Sequence, residues 1–423
     1  MDRKARSVPG QQPEVTPEES LNELVSLAAT AGAQVVDRVI QARPTLDSAT
    51  LIGSGKVKEL AAIVAGYPAD VVIFDHELTP TQQRNLEKAL DVKVVDRTQL
   101  ILDIFAARAR TREGQLQVEL AQLNYMLPRL AGKGIAMSRL GGGIGTRGPG
   151  ETQLEADRRK IKGRIRKIQA EVEAVKAGRA IQRRQRIDVP LPTLALVGYT
   201  NAGKSTLFNR LTGAGVVADS RLFATLDPTV RQLMLPSRRP VLVSDTVGFI
   251  RSLPTTLVNA FRATLEEVRQ AALLLHVVDV SAPHAAEQTA NVLQVLREIG
   301  ADQTPQVLVL NKVDMLPEGV EQAELAACRL LGEQAERVKA RAVSISAHSG
   351  EGIEALLRLI DDVLPADLLL KTVFRIPQGD GATLHLLHEH AQVREIVYAG
   401  DSCEVTADAP ESLRNRLREF VIQ

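Results

Sequence analysis

Residues 194–213 read LALVGYTNAGKSTLFNRLTG, and this stretch decides the fold class. Four apolar residues make a strand. Gly198-Tyr199-Thr200-Asn201-Ala202-Gly203-Lys204-Ser205 then fits G-x-x-x-x-G-K-[ST], and an amphipathic run beginning at Thr206 stops at Gly213. The glycines let backbone N–H groups curl around anionic oxygens with no Cβ in the way, and the positive end of the following helix strengthens the attraction. In such a loop the Lys204 ammonium reaches the β- and γ-phosphates of a nucleotide, and the Ser205 hydroxyl coordinates Mg²⁺.

Outward from this loop, strand-like runs alternate with helical patterns: Leu194–Val197, Val230–Leu235, Val241–Ser244, Leu273–Val278, Gln306–Leu310 and Ala342–Ile345. The alternation predicts an α/β fold, a doubly wound and mostly parallel sheet. Pro190 and Pro192 open this domain and Pro365 closes it, giving 190–365.

The remaining motifs choose the base. Asn311-Lys312-Val313-Asp314 ends the apolar strand Val307–Leu310. Guanine offers N1–H and N2–H₂ together, and one carboxylate, Asp314, can accept both; adenine has no such pair. Lys312 would pack along the base. Ser346-Ala347-His348 ends the last strand, where a backbone N–H can meet the guanine O6. Asp245-Thr246-Val247-Gly248 ends another strand, so that Asp245 would hold Mg²⁺ through water and Gly248 would offer its N–H to the γ-phosphate. Upstream, Phe223-Ala224-Thr225-Leu226-Asp227-Pro228-Thr229 lies in a loop where a threonine can close over Mg²⁺. The sequence leaves Thr225 and Thr229 both open for that part. Lys204, Thr225 and Gly248 are the candidates for the hydrolytic machinery, and loss of the γ-phosphate would release both loops.

With these motifs in hand, the chain resembles a family. LFATLDPTV (222–230), DTVGFIRSLP (245–254) and the Gly-rich SRLGGGIGTRGPGETQLE (138–155) look like the HflX family of TRAFAC-class GTPases. The resemblance covers about Leu21 to Pro365. It implies Mg²⁺ on Ser205 and Thr225, and slow GTP hydrolysis stimulated by the large (50S) ribosomal subunit. It further implies a role in splitting or rescuing stalled ribosomes under stress, with the Gly-rich loop near the peptidyl-transferase centre. Phe249 stands where related enzymes often carry a water-positioning Gln, so the active geometry is expected to be completed from outside, by the ribosome or a cation. Asn201 resembles the asparagine that holds K⁺ in potassium-stimulated relatives. Two other readings stand beside this one: a nucleotide-driven RNA remodelling enzyme, and a signalling switch that binds a protein effector.

The 423-residue chain as a whole is ordinary in composition, with 44% hydrophobic and 24% charged residues and no Trp. Residues 1–20 are expected to be disordered and 21–110 to form a small α/β domain. Leu116, Leu120, Leu123 and Leu127, then Ile161, Ile165, Ile168 and Val172, keep helical spacing and predict a helical hairpin over 111–189, with the Gly-rich loop between its arms. Residues 366–423 should form a small α+β domain, with strands at Val373–Ile376 and Ile396–Val397 and a terminal helix from Pro410.

The formal net charge is only +1. Positive residues nevertheless crowd the second hairpin helix, at Arg158, Arg159, Lys160, Lys162, Arg164, Arg166 and Lys167 and on through its tail, against Glu171 and Glu173. With Arg139 and Arg147 of the loop they are candidate RNA contacts. Gly143-Ile-Gly145-Thr-Arg-Gly148 mimics a dinucleotide fingerprint but lacks a flanking β-α-β unit. Gly53-Ser-Gly55-Lys56 reads as a turn, and His385, His388 and His390 as a strand or turn facing solvent. Cys328 and Cys403 match no metal spacing. The most apolar stretch, Ala271 to Val280, is about half the length of a membrane span. A cytoplasmic protein is expected, and a monomer, since no long heptad seam demands a dimer.

Overall fold

The computed structural model describes residues 16–43, 45–67, 69–130, 149–186, 191–215, 222–251, 262–316, 341–364 and 369–422. The Gly-rich loop with Arg139 and Arg147 lies outside them, as does Cys328; for 149–154 and 176–186 only the backbone is described. The chain divides into two compact units, 1–177, 193–233 and 242–356 in the larger and 178–192, 234–241 and 357–423 in the smaller.

In the larger unit the first helix, α1 (Pro17–Thr30), starts earlier than expected. Thr16 accepts from the Glu19 amide, and the Glu19 carboxylate accepts from the Thr16 amide, a reciprocal cap that fixes the helix start. Residues 17–20 are therefore helical rather than disordered. The GSGK turn is likewise a helix start, with Gly53 capping α2 (Ser54–Gly66). Strand β1 (Val71–Phe74), helix α3 (Pro80–Leu90) and strand β2 (Lys93–Asp96) form a β-α-β unit with its two strands parallel. Asp96 then caps α4 (Arg97–Arg108) by accepting from the Gln99 amide at 2.8 Å.

Helices α5 (Arg112–Arg129) and α6 (Pro149–Arg186) form the hairpin. Leu116 packs with Ile168 and Val172 at its seam. Ion pairs Arg112–Glu171 (2.6 Å) and Arg164–Glu119 (2.7 Å) run along it with opposite sequence direction, so the arms are antiparallel.

The central sheet contains β3 (Thr193–Gly198), β4 (Thr229–Met234), β5 (Pro240–Asp245), β6 (Leu273–Asp279), β7 (Gln306–Asn311) and β8 (Arg341–Ser344), in the order β4-β5-β3-β6-β7-β8. Pairs β3–β5, β3–β6, β6–β7 and β7–β8 are parallel. Helices α7 (Lys204–Thr212), α8 (Arg262–Arg269), α9 (Ala285–Glu298) and α10 (Ile353–Val363) alternate with these strands. Strands buried on both faces read as continuous apolar runs, as β6 and β7 do. The phosphate loop, Asp245–Gly248, Asn311–Asp314 and Ser346–His348 follow the carboxyl ends of β3, β5, β7 and β8, and the winding reverses at β3.

The smaller unit carries β9 (Leu369–Pro377), α11 (Gly381–His390), β10 (Gln392–Ala399), β11 (Ser402–Pro410) and α12 (Glu411–Arg416). Its antiparallel sheet, ordered β10-β11-β9, encloses Phe374, Ile376, Leu387, Cys403 and Val405. The three histidines sit on α11, a helix rather than a strand or turn, because Asp380 caps its first turn by accepting from Thr383.

Ile168 is fully buried at the hairpin seam. Ile168→Ala should cost about 2–5 kcal/mol of hairpin stability, measured as faster amide exchange along α5 and the facing part of α6.

Candidate nucleotide site

Lys204 begins α7 and is buried, its Nζ donating to the carbonyls of Gly198 (3.1 Å) and Tyr199 (2.8 Å). Burial pushes its ammonium down to about 8, although the Asp245 carboxylate pulls the other way. Gly203, the cap of α7, holds φ at +94°, and a Cβ there would strike the Asn311 amide. Only glycine gives both that backbone angle and that approach.

Three oxygens converge beside the lysine. The Ser205 hydroxyl donates to Asp245 Oδ2 at 2.7 Å, Thr225 Oγ1 donates to the same oxygen at 2.9 Å, and the two hydroxyls stand 2.8 Å apart. It is Thr225 that joins Ser205 and Asp245; Thr229 stands at the start of β4, outside this cluster. Burial raises the Asp245 carboxyl above its ordinary range. Among the described residues its Oδ1 is buried with no hydrogen-bond partner. Two hydroxyls and a carboxylate with a spare oxygen suit a hard divalent cation such as Mg²⁺, which takes oxygen ligands and keeps several waters.

Thr200, Asn201, Gly203, Lys204, Ser205, Thr206, Phe223, Ala224, Thr225, Thr246 and Gly248 line one open cavity. A Cβ on Gly248 would stand 2.9 Å from the Lys204 Nζ and 2.9 Å from Thr200. The Phe249 amide donates to the Gly198 carbonyl (3.0 Å) and its carbonyl accepts from Thr200 (2.7 Å), so the Asp245–Gly248 motif is stitched to the phosphate loop. The Phe249 side chain is buried in the core and offers no group to orient water. Val247 and Leu226 are core residues as well.

On the base side, Asn311 joins three motifs. Its Nδ2 donates to the Ala202 carbonyl (2.8 Å), and its Oδ1 accepts from the Ala347 amide (2.9 Å). Lys312 donates to Asp279 at 2.6 Å. Asp314 lies exposed on the short 3₁₀ turn Val313–Met315, with Val313 buried beneath it. Ser346 is buried and its hydroxyl accepts from Ser349 (3.1 Å), while His348 is exposed. The Arg210 guanidinium donates to the carbonyls of Ala347 (3.2 Å) and His348, which braces this loop from α7.

Two sequence expectations are redirected. The Tyr199 side chain turns away from the phosphate cradle: its hydroxyl donates to Glu23 of α1 (2.7 Å) and accepts from the Arg251 amide (2.9 Å). Asp227, read as a nucleotide contact, instead spends its carboxylate on the amides of Arg110 and Thr111 at the root of the hairpin. Both partners lie far away in sequence, so spacing carries no sign of them. Asp279, Arg210 and Glu23 were not singled out for the same reason; of these only Asp279, at the carboxyl end of β6, stands where a strand-end carboxylate is a local signal. On α6, Arg158, Arg159, Lys160, Lys162, Arg166 and Lys167 are exposed, whereas Arg164 is taken by Glu119 in a two-pronged ion pair.

Gly248→Ala should lower GTP affinity and turnover together, about 100-fold in turnover, because the added methyl displaces the Lys204 ammonium; nucleotide titration and single-turnover hydrolysis check this. A second expectation concerns pH. Burial holds Lys204 at about 8, and bound phosphate requires the ammonium form. Nucleotide affinity should be flat below this pH and fall above it, toward about tenfold per pH unit, because binding then takes up a proton. Titration calorimetry in buffers of different ionisation enthalpy reads that proton directly.

Comparison with known proteins agrees with the site. Residues 18–106 match the family described as GTP-binding GTPase N-terminal, and 108–186 match GTP-binding GTPase Middle Region. Residues 193–312 match 50S ribosome-binding GTPase, and 261–366 match the elongation factor Tu GTP binding domain. The GTPase HflX of Caldanaerobacter subterraneus subsp. tengcongensis is 48% identical over 96% of this chain and 91% of its own length. That of Alkalihalophilus pseudofirmus is 56% identical over 70% of each chain. A GTP-binding protein of Sulfolobus solfataricus, solved with GDP, is 25% identical, covering 82% of this chain and 95% of its own, with a TM-score of 0.44. With a phosphate cradle, a guanine motif and relatives matched nearly end to end, the chain belongs to the HflX family of GTPases.

Proposed function

We propose that this GTPase acts on the large ribosomal subunit, docking through its helical hairpin and using GTP to split or rescue stalled ribosomes under stress. The observation that carries the reading is the row of six exposed basic side chains on α6 in a chain of net charge +1. Near-neutral proteins concentrate charge in this way where they meet a phosphate backbone. The likeness of residues 193–312 to a family described as 50S ribosome-binding GTPase supports the choice of partner. No helix among the described residues is long and apolar enough to cross a membrane, and a monomer working in the cytoplasm fits the reading.

At the nucleotide site, Asp314 selects guanine by accepting from its N1–H and N2–H₂. Lys204 and the amides of the phosphate loop hold the β- and γ-phosphates. Ser205 and Thr225 would hold Mg²⁺ through their hydroxyls, with Asp245 reaching it through water, and the ion would supply positive charge beside the phosphates. Gly248 would give its N–H to the γ-phosphate, and Asn201 would hold K⁺. With Phe249 where a water-orienting Gln would stand, the ribosome completes the hydrolytic geometry, which ties turnover to docking.

The protein should co-sediment with large subunits at moderate salt more with a non-hydrolysable GTP analogue than with GDP. Reversing Arg158, Arg159, Lys162, Arg166 and Lys167 to Glu should weaken that association by at least about tenfold and flatten its salt dependence. Absence of co-sedimentation in either nucleotide state would remove the ribosomal reading and favour a protein effector.

A further inference from the structure

The loop that carries Thr225 is anchored outside the nucleotide site. Asp227 Oδ2 accepts from the amides of Arg110 (2.8 Å) and Thr111 (2.9 Å), and Oδ1 accepts from the Thr111 hydroxyl at 2.5 Å. Thr111 is the N-cap of α5, accepting from the Gly114 amide at 3.1 Å. One carboxylate and one hydroxyl thus join the loop to the first turn of the hairpin. The fit is close: a Cβ on Gly114 would stand 2.5 Å from Asp227 Oδ1.

Two further contacts hold the same loop. The Phe223 ring meets Phe105 of α4 edge-on with centroids 4.6 Å apart, and the Leu222 amide donates to Thr30 Oγ1 of α1 at 3.3 Å. Phe223 has φ of +57°, a region that an aromatic residue enters only when its surroundings impose it. Between Thr225 and Asp227 lies only Leu226, buried in the core. The loop has little room to move one end without the other. A carboxylate already engaged with three donors, and repelled by phosphate, is poorly suited to contact nucleotide itself.

We propose that Asp227 is a positioning residue: by anchoring the loop to the N-terminus of α5 it holds Thr225 over Ser205 and Asp245, so that the hairpin and the nucleotide site bias one another. By thermodynamic reciprocity, whatever shifts the root of α5 alters the hold of Thr225, and occupancy around Thr225 alters the root of α5. The role of Thr225 rests on the Mg²⁺ reading above; the anchor itself does not.

The test begins with nucleotide-free protein in chelator. Asp227→Ala and Thr111→Val should each speed amide exchange by at least about tenfold in both the 222–229 loop and the first turn of α5. Thr111→Ser, which keeps the hydroxyl, should exchange like the parent. The second measurement is the Mg²⁺ concentration that half-saturates binding of a non-hydrolysable GTP analogue. It should rise about three- to tenfold in each loosened variant and no further in the double variant, with GDP affinity unchanged within about twofold. Unchanged exchange overturns the anchor. Faster exchange with an unchanged Mg²⁺ requirement, or additive penalties, overturns the positioning role. Thr225→Ala separates the two layers: if it leaves the Mg²⁺ requirement untouched while the exchange result holds, the metal reading has failed and the anchor has not.

Discussion

A buried ammonium and a buried carboxylate share one pocket at the ends of β3 and β5, and the rest of the molecule is arranged around that fact. Burial lowers Lys204 and raises Asp245, so each charged form is disfavoured where it stands. Their mutual attraction and the hydroxyls of Ser205 and Thr225 offset only part of this, and Asp245 Oδ1 has no hydrogen-bond partner among the described residues. A core built for stability alone would carry apolar residues here. The disfavoured charges instead make the pocket receptive to phosphate and a divalent cation, which supply what burial removed. The rigid parallel sheet makes this possible, because β3 and β5 are paired in register and their carboxyl ends cannot drift apart.

The same site reaches into the N-terminal elements by a second, charged route. Arg97 is almost wholly buried and pairs with Glu23 (3.0 Å) and Asp75 (2.7 Å). Glu23 accepts from Tyr199 of the phosphate loop, whose hydroxyl accepts from Arg251 just beyond Gly248. Desolvation makes such a network costly to break on one side only. The phosphate loop and the segment after Asp245–Gly248 therefore share partners on α1 and α4. A conformational change in either must carry those partners along or leave buried charge unmatched.

The sequence made the sheet and its motifs legible because their logic is local. A strand, a glycine turn and a helix start lie within twenty residues, and Asn311 to Asp314 follow a run of four apolar residues. The Thr16–Glu19 capping box was equally local, yet it was hidden by the polar, proline-containing run before it. What spacing could not carry was any contact made across the fold. Asp227 meets Thr111 from 116 positions away. Arg164, counted among charges free for RNA, is bound to Glu119 across the hairpin. Thr225 and Thr229 stand four residues apart and differ only in what the folded loop brings near them. Strand β11 was missed because its buried positions include Cys403, Ala407 and Ala409, small residues whose alternation is weak in apolar contrast.

The charge distribution also constrains orientation. Lys and Arg total 52 against 51 Asp and Glu, so the molecule as a whole exerts little long-range pull on a polyanion. Screening at physiological salt confines any surface field to about 8 Å. Attraction must then come from a local excess, and within the described hairpin that excess is on α6, where Arg158, Arg159, Lys160, Lys162, Arg166 and Lys167 are exposed. A phosphate surface would meet α6 first, with α5 packed behind it. The root of α5 is where Asp227 is held. On the proposed anchoring by Asp227, load placed on the hairpin would reach the loop that carries Thr225, so the placement of charge on α6 would decide which loop feels a partner.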